Sequence, residues 1–147
     1  MLQGQLSGNQ TKIQGSQENQ RSLQRENESA KILVEKGYHV EQNPSTKLSD
    51  NVREGAQPDY RINGEIFDNY APNHRADVEQ IRNQISRKLK RRQTYRVLLN
   101  LDDNTVPITD IKTMFTIRKP VLNLQQLIII KKGQLIEMDL THNDGDI

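Results

Sequence analysis

Apolar positions along the chain recur at two spacings, about 3.6 residues and two residues, and the switches between them mark out the elements. Leu23, Ala30, Leu33 and Val34 lie on one stripe, predicting a helix from Leu23 to Lys36 that Gly37 stops. Tyr38 to Gln42 alternates as a short strand, and Asn43 to Gln57, polar and holding Pro44 and Gly55, reads as a loop. Asp59–Ile62 and Glu65–Tyr70 are strand-like runs separated by Asn63-Gly64, the strongest short signal for a hairpin, and Pro72 ends the second run. Residues 77–92 place Val78, Ile81, Ile85 and Leu89 on one helical stripe. Tyr95 to Leu101 is an apolar strand centred on Val97-Leu98-Leu99, and Ile108 to Ile117 reads as a helix. Leu127–Lys131 and Leu135–Leu140 make a second hairpin around Lys132-Gly133. The order α-β-β-β-α-β-α-β-β predicts a mixed α/β domain of about 120 residues, enough for one core.

Composition changes the picture at the N-terminus. Seven glutamines fall in the first 24 of 147 residues. Residues 1–22 are rich in Gln, Ser, Asn and Gly, and such a segment buries too little apolar area to offset its ordering. It reads as a disordered lead-in, with the domain proper at 23–147. Mean hydropathy is −0.86. The longest apolar run, Leu127 to Ile130, has four residues, far short of the roughly 18–20 of a membrane helix. The first 22 residues also lack the apolar stretch of a secretory signal. With no cysteine there is no disulfide, no thiolate zinc site and no cysteine nucleophile.

Charge is unevenly placed. The formal total is +2, yet residues 82–96 hold Arg82, Arg87, Lys88, Lys90, Arg91, Arg92 and Arg96 with no acid, leaving −5 for the rest. A basic element on an acidic body fits a polyanionic partner, or else a solvated helix face. His39, His74 and His142 lack metal-ligand spacing, and Gly37, Gly64 and Gly133 sit at turns and form no phosphate loop. Asp102-Asp103, Asp144 and Asp146 read as loop and tail acids.

The first hairpin carries the candidate chemistry. A two-residue turn at Asn63-Gly64 sets Ile62 opposite Glu65, Arg61 opposite Ile66, Tyr60 opposite Phe67 and Asp59 opposite Asp68. Tyr60, Ile62 and Phe67 then share the core face and the two aspartates share the other. Opposed residues have Cβ atoms about 4.5–5.5 Å apart, and like charges there are unfavourable. A cation between them, or a proton on one, relieves the repulsion, and Mg²⁺ is the simplest cation. A bulge that shifted the register would instead leave both acids as solvated strand ends. Lys88 follows Ile81 by seven residues and Ile85 by three, so it projects from the buried stripe, toward an anion or snorkelling to water. Glu26 and Glu28 on the first helix are candidates for a further carboxylate, or first-turn acids suited to the helix dipole. By helical phase Glu26 lies nearer the stripe of Ala30 and Leu33.

Together these residues resemble a family. The stretches are Arg25-Glu26-Asn27-Glu28-Ser29-Ala30 with Gly37-Tyr38-His39-Val40-Glu41-Gln42, Pro58-Asp59-Tyr60-Arg61-Ile62-Asn63-Gly64, Phe67-Asp68-Asn69-Tyr70-Ala71-Pro72, and Lys88 to Asp102. The chain is similar to the restriction-endonuclease-like, or PD-(D/E)XK, nuclease fold. More closely it resembles the C-terminal toxin domain of CdiA-type contact-dependent growth-inhibition proteins, in their tRNA-nuclease group, over residues 23–140.

The resemblance implies a metal-dependent endoribonuclease that hydrolyses phosphodiester bonds in tRNA. Asp59, Asp68 and Glu28 would be catalytic, metal-binding acids. Glu28 is favoured over Glu26 because the family acid sits two residues before a small residue, here Ala30; helical phase favours Glu26. The motif's lysine, expected two residues after the second acid, is Tyr70 here, so the resemblance supplies it from the following helix as Lys88, with Lys90 in reserve. The expected cofactor is a divalent ion, Mg²⁺ first, with Zn²⁺ or Mn²⁺ as alternatives. Arg82, Arg87, Lys90, Arg91, Arg92 and Arg96 would dock the nucleic acid, and Tyr60, Tyr70 or Tyr95 offers a ring for base stacking. A cognate immunity protein, acidic to match the basic helix, would block the site of a domain that is otherwise monomeric. The domain would belong to a larger secreted or surface toxin acting in the cytoplasm of a target bacterium. A DNA nuclease on the same fold and a non-catalytic nucleic-acid-binding module of a phage or surface protein are the alternatives.

Overall fold

The computed structural model describes residues 4–141, so His142, Asp144 and Asp146 lie outside the described residues. Seven strands form one sheet in sequence order: β1 (Leu6–Gly8), β2 (Val40–Gln42), β3 (Tyr60–Ile62), β4 (Glu65–Tyr70), β5 (Arg96–Asn100), β6 (Gln126–Lys131) and β7 (Gln134–Asp139). β1–β2, β4–β5 and β5–β6 pair parallel, and the other neighbours antiparallel. Helix α1 (Gln17–Glu35) joins β1 to β2, α2 (Val78–Lys90) joins β4 to β5, and α3 (Ile108–Thr113) lies between β5 and β6.

The helices cover opposite faces. Ala30, Leu33 and Val34 of α1 pack with Tyr60, Ile62, Phe67, Leu98, Ile128 and Ile130. Ile81, Ile85 and Leu89 of α2 and Ile111 of α3 pack with Val97, Leu99, Leu127 and Ile129 on the other face. Val97-Leu98-Leu99 therefore alternates between two cores, which is why a central parallel strand is apolar throughout. The hairpin register is the one expected: Tyr60 pairs with Phe67, Arg61 with Ile66 and Ile62 with Glu65. Asn63 (φ 46°) and Gly64 (φ 91°) both take the left-handed conformation that a type I′ turn needs. The helix expected over Ile108–Ile117 holds its α form only to Thr113 and then widens into a π turn over Met114–Arg118.

The expected disordered lead-in is corrected. Among its described residues, Leu6–Gly8 is a strand, residues 9–15 cross to α1, and α1 itself starts at Gln17, capped by the Ser16 hydroxyl on Asn19 N–H. Hydrophobic pattern missed this segment because apolar burial does not hold it: Leu6 is 45% and Ile13 42% exposed. Hydrogen bonds do, among them Gly4 N–H to Val34 O (3.0 Å) and Val40 N–H to Gln5 O (2.8 Å). The approach is close enough to require glycine. A Cβ at Gly4 would stand 1.8 Å from Tyr38 O, and one at Gly8 (φ +77°) 2.2 Å from Gln42 O. No helix of the described residues is long and apolar enough to cross a membrane.

Candidate active site

Asp59 stands one residue ahead of β3 and Asp68 lies in β4, so the hairpin register places them side by side. The contact is mutual. Asp59 N–H donates to Asp68 Oδ1 (3.3 Å), and Asn69 N–H donates to Asp59 Oδ2 (2.8 Å). Carboxylates thus continue the strand pairing where the backbone ladder ends. From α2, on the face shared with Asp68, Lys88 reaches in and sets Nζ 3.3 Å from Asp68 Oδ2. Leu89 beside it is in the core, so helical phase fixes the lysine's direction.

From the other face, α1 contributes Glu26. Its carboxyl group accepts from the Thr11 hydroxyl and lies beside the Asp59 carboxyl group. Its backbone carbonyl accepts from the fully buried Tyr60 hydroxyl (2.6 Å), tying the helix to β3. Gln93 lies close to Asp68, and Arg53 from the 43–57 loop donates to Gln93 Oε1 (3.1 Å).

Electrostatics explain what such a cluster needs. Burial pushes the Asp59 carboxyl well above the usual carboxylate range, and repulsion from Asp68 and Glu26 adds to it. Burial likewise raises Glu26, against the Thr11 hydrogen bond, and raises Asp68, against the Lys88 ammonium. One lysine faces three carboxyl groups, so the cluster gains from a further positive charge, proton or cation.

Of the residues expected at the site, the structure brings together Asp59, Asp68 and Lys88. It does not bring Glu28. That carboxylate is half exposed and pairs with Arg25 (2.7 Å), whose guanidinium also grips Asp103 through two bonds (2.7 and 3.0 Å). Two helical steps turn Glu28 about 200° from Glu26, so only one of the two can face the aspartates. Helical phase, not spacing from Ala30, matches the acid that the structure places beside the aspartates. Lys90, the reserve lysine, is exposed and lines a separate cavity with Ser86, Val121 and Leu122. Thr11 and Gln93 were not anticipated as site residues; Thr11 lay in a segment without apolar signal.

The basic segment divides. Arg82 donates to the carbonyls of Lys119 (3.0 Å) and Pro120 (3.2 Å), and Arg96 pairs with Glu65 (3.1 Å), so both serve the fold. Arg87, Lys90, Arg91 and Arg92 are exposed at the end of α2 and just beyond. Tyr60 is core, Tyr70 is partly buried against the α2-side core, and Tyr95 donates its hydroxyl to Asn51 O (2.9 Å).

For a divalent ion the donor chemistry fits: hard carboxylate oxygens, raised in pKa first by burial and then, at Asp59, by the neighbouring carboxylates. As they stand, no group of three or more His, Asp or Glu side chains among the described residues is arranged as a complete metal-ligand set. Asp59 and Asp68 would therefore hold an ion as a pair, with waters or substrate oxygens filling the remaining positions.

Comparison with known proteins gives the family of the chain. Residues 56–136, which contain both aspartates and Lys88, match the family described as contact-dependent growth inhibition CdiA C-terminal domain. The tRNA nuclease CdiA-2 of Burkholderia pseudomallei (strain 1026b) is 38% identical over 131 residues, covering 88% of this chain and 4% of that much longer protein. A solved CdiA-CT/CdiI toxin and immunity complex from Burkholderia pseudomallei superimposes with a TM-score of 0.82 at 37% identity, covering 92% of this chain and 99% of that one. With hairpin, carboxylate pair and basic helix all inside the matched region, the chain belongs to the CdiA C-terminal domain family of contact-dependent growth inhibition.

Proposed function

We propose that this domain is a metal-dependent nuclease toxin that hydrolyses phosphodiester bonds in tRNA. The carrying observation is the mutual contact of Asp59 and Asp68, with Lys88 on one side and Glu26 on the other. Buried acids opposed across a ribbon weaken a fold unless they serve a cation and its substrate. Bound between Asp59 and Asp68, an Mg²⁺ ion would supply Lewis-acid polarisation of the phosphate and a water of lowered pKa. Lys88 Nζ stabilises negative charge that develops on the phosphate oxygens. Glu26, its carboxyl pKa raised by burial, takes the proton that the attacking water gives up as the water oxygen bonds phosphorus; the bond from phosphorus to the leaving ribose oxygen breaks, and that oxygen takes a proton from solvent water. Arg87, Lys90, Arg91 and Arg92 hold the backbone by charge, with affinity that falls as salt rises.

The name of the Burkholderia relative supports tRNA as substrate, and the solved toxin and immunity complex supports a cognate inhibitor. An acidic inhibitor seated over the exposed basic end of α2 would block the site and complement its charge. The 4% share of the longer relative supports delivery as the end of a large surface protein, with action in the recipient cytoplasm.

The test incubates the purified domain with total tRNA and with duplex DNA, in Mg²⁺ and in EDTA, beside Asp59→Asn and Asp68→Asn. Cleavage of tRNA alone, lost in EDTA and in both variants, is expected. Cleavage of DNA instead assigns the other polymer to the same site. Salt-sensitive binding without cleavage, unaltered by EDTA or by the variants, sinks the enzymatic proposal.

A further inference from the structure

We infer that Thr11 is a positioning residue of this nuclease site, carried by an N-terminal strap and aiming the Glu26 carboxylate at the aspartate pair. The inference rests on the nuclease proposal above and concerns a residue outside the 56–136 family match.

The bonding around Thr11 leaves little freedom. Its hydroxyl accepts from Asn43 Nδ2 (3.0 Å) and donates to Glu26 Oε2. A hydroxyl has one hydrogen, so the Asn43 amide fixes which way that hydrogen points. The backbone of Thr11 is clamped separately: its N–H donates to Asn27 Oδ1 (3.1 Å) and its carbonyl accepts from Asn27 Nδ2 (2.9 Å). Asn27 Oδ1 also accepts from Gln42 Nε2 at 2.7 Å, which locks the clamp to β2. Asn43 Nδ2 further donates to Asn9 O (2.7 Å). The glycines at 4 and 8 let the strap lie directly on the sheet edge, so its register there is set by contact with the backbone.

The consequence for Glu26 is specific. Its carboxylate is repelled by Asp68 and placed against Asp59, in a site with one lysine. Among the described residues, the Thr11 hydroxyl is the neutral donor shown to reach it from outside the acidic cluster. Backbone clamp and hydroxyl are separate, so the strap can stay docked when the hydroxyl is removed.

That separation makes the test. Thr11→Val keeps the shape and the Asn27 clamp and removes the donor; Thr11→Ser keeps the donor. In tRNA cleavage by the full 147-residue chain, Thr11→Val should lower kcat about tenfold or more at little-changed KM, a part of the roughly 10²–10⁴-fold that a well-positioned general base contributes. Thr11→Ser should restore most of it. Melting temperature and the rate of tryptic cleavage at Lys12, which reports strap docking, should match the parent in both. If Thr11→Val fails to fold, Asn43→Ala frees the hydroxyl to turn away and should lower kcat in the same sense. Wild-type turnover in Thr11→Val, or equal losses in the Val and Ser variants with faster cutting at Lys12, overturns the inference and leaves Thr11 as a structural staple. Asp59→Asn runs beside them. Full activity in Asp59→Asn overturns the nuclease proposal itself, whereas loss there with normal turnover in Thr11→Val overturns only the role of Thr11.

Discussion

Asp59 and Asp68 are held side by side by each other's strand: the N–H of Asp59 donates to Asp68 Oδ1, and the N–H that follows Asp68 donates to Asp59 Oδ2. Each carboxylate is thus held by a backbone N–H in addition to its side-chain neighbours. Fixed geometry is what an ion site needs and what a solvated pair of strand-end acids would lack.

Replacing either aspartate by asparagine keeps volume and one oxygen. Asp59→Asn and Asp68→Asn should each lower cleavage by about 100-fold or more, the scale of losing an outright charge-stabilising group. Both should melt no lower than the parent at pH 7.5, since each removes a buried charge crowded by like charges. Circular dichroism melts beside a tRNA gel check this, and a large drop in melting temperature would contradict the repulsion described.

The two first-helix acids separate cleanly. Glu26→Gln should abolish most turnover, while Glu28→Ala, which breaks only a half-exposed pair with Arg25, should cost no more than about 0.5 kcal/mol of stability and leave cleavage intact. Denaturant midpoints and initial rates on the same preparations decide it.

Lys88 and the outer cations should fail differently. Lys88→Met is expected to lower kcat with tRNA affinity nearly kept, because one ammonium is aimed at Asp68. Arg91→Ala with Arg92→Ala should raise the dissociation constant and reduce the slope of log affinity against log salt by about 1–2, with kcat retained. Fluorescence anisotropy at several salt concentrations, with Asp59→Asn as the inactive background, measures both.

Mg²⁺ at about one hundred times its dissociation constant should stabilise the parent by roughly 2.7 kcal/mol through mass action. Neither Asp59→Asn nor Asp68→Asn should show that rise. Melts with and without EDTA give the comparison, and equal Mg²⁺ shifts in parent and variants would remove the ion from this pair.

Acid stability should depend on Asp103. The Arg25 guanidinium, with Arg21 behind it, holds the Asp103 carboxyl down at about 2. A depressed pKa contributes stability that is present above the ordinary aspartate value and lost as pH falls from about 4 toward 2. Because both partners are partly open to solvent, the contribution is no more than about 1 kcal/mol. Denaturant titrations at pH 6 and pH 2.5 should show a smaller difference for Asp103→Asn than for the parent.

Local chemistry was enough to read the hairpin. Asn63-Gly64 accepts positive φ at both positions, so the register followed, and with it the meeting of Asp59 and Asp68. The α2 stripe likewise aimed Lys88, since Leu89 and Ile85 had to be buried. These features are short-range, and periodicity of side-chain direction determines them.

Amino-acid order alone therefore determined the mixed α/β class, the pairing of the two aspartates and the lysine that faces them. Helical phase already favoured Glu26 over Glu28; only the tertiary structure decided that residues 4–16 form part of the domain, that Thr11 meets Glu26 while Arg25 is tied to Asp103, and that Arg82 and Arg96 make contacts within the fold. Each of these rests on contacts between distant segments made by hydrogen bonds and ion pairs: Thr11 with Glu26, Arg25 with Asp103, Arg82 with the Lys119 carbonyl. Polar partners of that kind leave no hydrophobic period behind, and so they become visible only once the chain has folded.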